Sequence, residues 1–87
     1  MAKVEIYTAD FCPYCKHAKA LFDRKGVKYE EIEIDGSDEA RASMSRRTNG
    51  ARTIPQIFVN GEHIGGFDDA SKLDKAGKLD ELLKLDD

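Results

Sequence analysis

The two cysteines of this chain stand two residues apart, in Cys12-Pro13-Tyr14-Cys15, just after a short apolar run. That spacing puts both sulfurs within one helical turn, where they bond reversibly in a small ring. Such a pair exchanges more readily than a long-range structural staple. Pro13 suits the first turn of a helix, because it lacks the N–H that would go unpaired there. Cys12 is then at the helix mouth, facing unpaired N–H groups and the positive end of the dipole, both of which favour a thiolate. Cys15 falls a turn inside and is more shielded. Cys12 is therefore read as the nucleophile and Cys15 as the resolving thiol. Lys16, His17 and Lys19 follow closely and add positive potential, ranked below the helix end.

A CxxC is also half of a zinc site. A closed site takes four ligands, and the chain has no second CxxC. His17, two residues past Cys15, projects elsewhere on the helix, and His63 lies in a hairpin pattern. Both read as ordinary surface histidines, and no metal is expected.

The rest of the chain must hold this pair in place. With 87 residues, 40% of them hydrophobic, it is expected to form one domain, residues 1–87, with a real core. Fourteen basic against seventeen acidic residues give a net charge of −3, which argues against general nucleic-acid affinity. No apolar run approaches membrane-spanning length and no signal peptide precedes Lys3, so a cytoplasmic, reducing location is expected. A monomer is the expected state, since no long exposed apolar stripe is evident.

A β-rich run from Lys3 to Thr8 is interrupted by Glu5, so that strand is expected to be less than fully buried. Ala9, Asp10 and Phe11 connect it to a helix from Pro13 to Lys25, with Ala18, Leu21 and Phe22 on one face and Gly26 ending it. Tyr29 to Ile34 alternates as a second strand with one wet face. Ser37 then caps a helix that ends near Thr48 to Gly50, its thin apolar face carried by Ala40, Ala42 and Met44. Ile54 to Val59, Asn60-Gly61 and Glu62 to Ile64 read as a hairpin, with Pro55 at the very start of its strand. Phe67 to Ala76 and Leu79 to Leu85 supply helical patterns with Leu73, Leu79, Leu82 and Leu83 inward, separated at Gly77. The order is β-α-β-α-β-β-α, an α/β class, and the strand-helix-strand start favours a parallel pair.

Three motifs in this order, Cys12-Pro13-Tyr14-Cys15, Thr53-Ile54-Pro55-Gln56-Ile57-Phe58 and Gly65-Gly66-Phe67-Asp68-Asp69, supported by Ile34-Asp35-Gly36, make the whole chain resemble a dithiol glutaredoxin of the small bacterial type. The resemblance implies a thioredoxin-like fold, a four-stranded mixed sheet flanked by helices. It implies a glutathione-dependent thiol–disulfide oxidoreductase that reduces glutathione mixed disulfides and protein disulfides through Cys12 and Cys15. Glutathione is then the reducing co-substrate, with no tightly bound cofactor. Glutathionylated or disulfide-bearing proteins are the partners, ribonucleotide reductase being a typical client of the family.

By the same resemblance Pro55 is a cis-proline that turns the backbone of Ile54 outward to pair with an extended peptide, with Thr53 beside that groove. Gly66, Phe67, Asp68 and Asp69 open a helix whose N–H groups suit the γ-glutamyl carboxylate, while Asp69, or Asp68, suits the adjacent ammonium. An aspartate that simply caps the helix is compatible with this. Tyr14 covers the glutathione sulfur. The glycyl carboxylate needs local positive charge, and Arg52 is the nearest in sequence of the group Arg41, Arg46, Arg47 and Arg52. Many relatives carry a lysine shortly before the CxxC, where this chain has Ala9 and Asp10.

Two rivals come from other classes. A thioredoxin-like reductase not coupled to glutathione shares the fold and the CxxC, but the absence of Trp before the motif and the presence of Asp68-Asp69 favour glutathione. A dimer holding an iron–sulfur cluster through Cys12 and glutathione is disfavoured by Pro13, since cluster-binding relatives usually have a less restricted residue there.

Overall fold

The structure, a computed structural model, describes residues 2–84. Strand β1 (Val4–Thr8) leads to helix α1 (Pro13–Arg24), then β2 (Tyr29–Glu33) and α2 (Asp38–Arg47). The hairpin β3 (Gln56–Val59) and β4 (Glu62–Gly65) follows, and α3 (Phe67–Lys75) and α4 (Lys78–Leu83) close the described chain. The strands form one mixed sheet in the order β2-β1-β3-β4. β1 runs parallel to β2 and antiparallel to β3, which pairs antiparallel with β4. This is the expected α/β architecture, with helices flanking a four-stranded sheet.

Strand alternation divides the apolar residues between two faces. Val4, Ile6, Ile57 and Val59 meet Ala18, Leu21 and Phe22 of α1, Ala70 of α3, and Leu79 and Leu83 of α4. Each large side chain buried there contributes roughly 1.5–3 kcal/mol, so this face holds most of the core. On the other face Tyr7 and Phe58 join Ile34 and Met44 in a smaller cluster. Leu73 and Leu82 pack against the larger cluster as expected, and Gly77, at φ 76°, separates α3 from α4. Leu85 lies outside the described residues.

Two expectations need correction. Glu5 does not leave β1 partly exposed: all five residues of the strand are buried. The reason is Arg47, at the end of α2, whose Nη1 and Nη2 donate to the Glu5 carboxylate at 3.2 and 2.9 Å. Nη1 also donates to the Tyr7 hydroxyl at 3.0 Å, and the guanidinium carbon lies 4.0 Å from the centroid of the Phe58 ring. The bond from Arg47 holds the Glu5 carboxyl below the usual carboxylate range, against the opposing pull of burial. The apolar face of α2 is thinner than expected, since Ala42 is exposed, Ala40 half-buried and Met44 alone buried. Polar contacts, including Tyr7 to Ser43 at 2.8 Å, attach this helix instead.

Boundaries shift by a residue in places. β1 starts at Val4, α1 ends at Arg24 and β2 at Glu33. Pro55 stands one residue before β3 rather than opening it. Ser37 caps α2 as read, accepting from the Ala40 N–H at 3.1 Å. Asn60 and Gly61 turn the hairpin with φ of 54° and 81°, the paired positive values that a tight two-residue turn of this kind demands.

Candidate active site

The loop from β1 delivers Cys12 to the start of α1. It is tied down by the Asp10 N–H, which donates to Asp35 Oδ2 at 2.8 Å across from the β2–α2 connection. Phe11 follows at φ 58°, its ring 98% exposed. Cys12 is the N-cap of α1, with extended backbone at φ −109°, and Pro13 takes the first helical position. The Cys12 sulfur does what a Ser or Asp oxygen does at other helix starts: it accepts the Cys15 N–H, at 3.2 Å. Cys12 is half-buried, Cys15 is buried, and both are free thiols. Burial, reinforced by the side-chain interaction of its thiol with Cys12, pushes the Cys15 thiol up to about 12.

A second helix start lies nearby. The Ile54–Pro55 peptide is cis, and the Ile54 carbonyl oxygen is 4.0 Å from the Cys12 sulfur. β4 ends at Gly65, and Gly66 is the N-cap of α3, with no side chain to cap it. Asp69 reaches back instead, Oδ2 accepting from the Gly66 N–H at 3.0 Å. Gly65 cannot be replaced without strain. Its φ is 121°, and a β-carbon there would lie 2.3 Å from Asp69 Oδ2.

Between these elements is a cleft of about 430 Å³. Tyr14, Thr53, Ile54, Pro55, Gly66, Phe67, Asp68 and Asp69, the residues expected to meet a ligand, all line it. Pro13 is exposed at the mouth of α1. Arg52 is exposed and does not line the cleft. Two other arginines are engaged elsewhere: Arg41 with Asp35 at 3.6 Å and Arg47 with Glu5. With Ala9 and Asp10 in the β1–α1 loop, that loop supplies no cation.

Both histidines are exposed, as read from the sequence, and each also makes an aromatic contact. The His17 ring lies 5.6 Å from Phe67 and 6.3 Å from Tyr14, bridging the starts of α3 and α1. His63 stacks on Phe58 at 5.0 Å, and its Nε2 is 2.6 Å from Gln56 Oε1. Gln56, His63 and Gly65 also line the cleft and were not singled out as site residues from the sequence. The available signal was Gln56 itself, a polar side chain inside an apolar strand.

The glutaredoxin family model matches residues 4–64. Glutaredoxin 3 of Escherichia coli K12 is 54% identical over 84 residues, covering 97% of this chain and 100% of that one. A probable glutaredoxin of Synechocystis is 57% identical over 82 residues, covering 94% and 93%. The chain belongs to the glutaredoxin family. Among solved structures, glutaredoxin from Brucella melitensis is similar, at 47% identity and a TM-score of 0.83, covering 100% of this chain and 94% of that one. A buckwheat glutaredoxin–glutathione complex matches at 33% identity and a TM-score of 0.84, covering 93% and 76%. The fold is therefore thioredoxin-like, and the activity is that of the family, a glutathione-dependent thiol–disulfide oxidoreductase. No helix among the described residues is long and apolar enough to cross a membrane.

Proposed function

We propose that Cys12 is the attacking sulfur, that Cys15 resolves, and that the cleft beside them holds glutathione. The observation that carries this is the single hydrogen bond from the Cys15 N–H to the Cys12 sulfur, 3.2 Å long, at the open start of α1. A backbone donor aimed at sulfur strengthens as the sulfur gains charge. The half-buried sulfur is the one 4.0 Å from the carbonyl oxygen of Ile54, a cleft-lining residue, and its partner is buried.

In the first route the Cys12 thiolate attacks the glutathionyl sulfur of a mixed disulfide. The old S–S bond breaks, the client leaves as a thiolate that takes up a proton, and Cys12 becomes glutathionylated. A second glutathione thiolate attacks that sulfur, forming oxidised glutathione and returning the electron pair to Cys12. In the second route Cys12 attacks a protein disulfide, and Cys15, after losing its proton, displaces the client to leave a Cys12–Cys15 disulfide. Two glutathiones reduce this by way of the same glutathionylated Cys12. The side-chain contact of the Cys15 thiol with Cys12 and the charge of Cys12 are two of the causes that hold the Cys15 proton on, after burial. Both are lost when Cys12 is bound to a client, so Cys15 becomes easier to ionise at the step that needs it.

Glutathione is held from both ends. The start of α3 offers backbone N–H groups to the γ-glutamyl carboxylate, and Asp69, with Asp68, faces the ammonium. Ile54 pairs with the cysteinyl backbone beside Thr53 and Pro55, Gly66 and Phe67 form the floor, and Tyr14 covers the sulfur. Arg52 supplies diffuse positive charge to the glycyl end. A buckwheat relative solved as a glutathione complex supports this occupant. The clients are glutathionylated and disulfide-bearing proteins, among them reductases that cycle through a disulfide. The chain acts as one domain and a monomer, in a cytoplasm whose glutathione pool stays reduced.

The test is a coupled assay with glutathione, glutathione reductase and a small glutathione mixed disulfide, run beside a protein-disulfide substrate. Cys12→Ser abolishes both activities. Cys15→Ser keeps the first and loses most of the second. An active Cys12→Ser protein, or a Cys15→Ser protein dead in the mixed-disulfide assay, rejects the assignment.

A further inference from the structure

Gln56 is buried, yet every polar atom of its side chain is engaged. Nε2 donates to the Thr53 carbonyl oxygen at 2.9 Å and to Thr53 Oγ1 at 3.1 Å. Oε1 is 2.6 Å from His63 Nε2. The amide cannot be turned over, because Oε1 would then face the Thr53 carbonyl oxygen, acceptor against acceptor. With Oε1 fixed toward His63, that imidazole nitrogen must carry a proton. The donations run one way, from His63 to Gln56 to Thr53. The His63 ring is itself steadied by its stack on Phe58, whose ring also lies against the Arg47 guanidinium.

The consequence falls on the Thr53 hydroxyl. One lone pair of Oγ1 receives the Gln56 amide proton, so its own hydrogen turns away from Gln56. We infer that His63 and Gln56 are positioning residues that make the Thr53 hydroxyl a hydrogen-bond donor into the cleft, to a carboxylate or peptide carbonyl of glutathione. All three residues line that cleft. The inference rests on the reading that glutathione occupies it.

Gln56→Glu keeps the shape and reverses the polarity. Its oxygens cannot donate to Thr53, and they draw the Thr53 hydroxyl proton inward, while His63 still has an acceptor. The expected result is a KM for glutathione raised about tenfold, with turnover at saturating glutathione changed by less than about twofold. Thr53→Val raises KM similarly, and the double variant is no worse than either single one, because both remove the same bond. His63→Phe preserves a ring on Phe58 and removes the donor, and it raises KM about threefold. This surface variant decides the matter if circular dichroism shows that Gln56→Glu does not fold. The inference is overturned if KM stays within about twofold of wild type in His63→Phe or in folded Gln56→Glu, or if Gln56→Glu and Thr53→Val add in full. Wild-type protein whose rate never saturates with glutathione sinks the cleft reading instead, and the two failures are distinct.

Discussion

Helices α1 and α3 both begin at the cleft, and their first turns are finished in different ways. At α1 the cap is a sulfur: Cys12 Sγ accepts the Cys15 N–H, Pro13 removes one spare donor, and the first turn has no acid. At α3 the N-cap is Gly66, which has no side chain, and Asp68 and Asp69 stand in the first turn. One oxygen of Asp69 claims the Gly66 N–H. A helix start with no acid concentrates its donors on one sulfur. A start with two acids is poorly suited to a bare anion and well suited to a zwitterion, whose carboxylate takes the N–H groups and whose ammonium takes the aspartates. On the proposed reading, the same backbone polarity serves a nucleophile at one helix and a ligand end at the other.

The largest effect expected is at the first helix. At pH 8 a thiol pushed up to about 12 is ionised in on the order of one molecule in ten thousand, so iodoacetamide should modify Cys12 and spare Cys15 in the folded, reduced protein. Mass mapping after a timed pulse checks this, and equal labelling of both sulfurs would erase the contrast within α1. The stability consequence has a definite sign. Cys15 keeps its proton in the folded state to about pH 12, whereas an unfolded thiol loses it from about 9 upward. Between those values the unfolded state binds fewer protons, so stability falls as pH rises. Cys15→Ala should flatten that alkaline decline in urea titrations at pH 9 to 11.

The second helix start breaks most directly at Gly65. Gly65→Ala adds a β-carbon 2.3 Å from Asp69 Oδ2 at a φ of 121°, so the aspartate must leave the Gly66 N–H. A loss of roughly 2–3 kcal/mol in chemical denaturation is expected, with KM for glutathione raised by about tenfold or more. Asp69→Ala is milder, costing about 1 kcal/mol for the lost cap and raising KM by roughly tenfold. Asp69→Asn separates the two roles. It still accepts from Gly66, so stability is largely restored, whereas KM stays high because the charge facing the ammonium is gone. If Asn restores both, Asp69 is a cap and nothing more.

Much of this arrangement is legible in the chain because it depends on local chemistry. Pro13, Ser37, Gly26 and the Asn60-Gly61 pair mark boundaries through constraints that each residue carries by itself, and the CxxC carries its own geometry. What escaped reading depends on partners far along the chain. Glu5 looks like a solvent-facing break in a strand until Arg47, 42 residues later, is seen to cover it. Gln56 stands out as a polar residue in an apolar strand, but its partner His63 does not until the hairpin bulge between Ile57 and Phe58 sets His63 opposite Phe58 and within reach of Gln56. The ligand-facing role proposed for the α3 start came from the resemblance. No local pattern announces that a helix start is capped by a residue with no side chain.

The Glu5–Arg47 pair, on the sheet face away from the larger core, tests whether the two helix starts alone govern glutathione affinity. Glu5→Gln leaves the cleft intact and should lower stability near neutrality by roughly 1–2 kcal/mol, since a partly buried charge-assisted bond is weakened. Because Arg47 holds the folded carboxyl below its unfolded value of 4.5, the pair's contribution is fully present above that value. It is lost as pH falls through the lower, folded value. Wild type and variant should therefore converge in stability as the pH is taken below 4.5. A gap that persists unchanged into acid would mean that packing, not charge, holds Arg47 in place. A KM for glutathione that rises in this variant would mean that the Arg47–Phe58–His63 stack transmits to the cleft. The first expectation is a change in stability with none in KM, the outcome that confines the chemistry to the ends of α1 and α3.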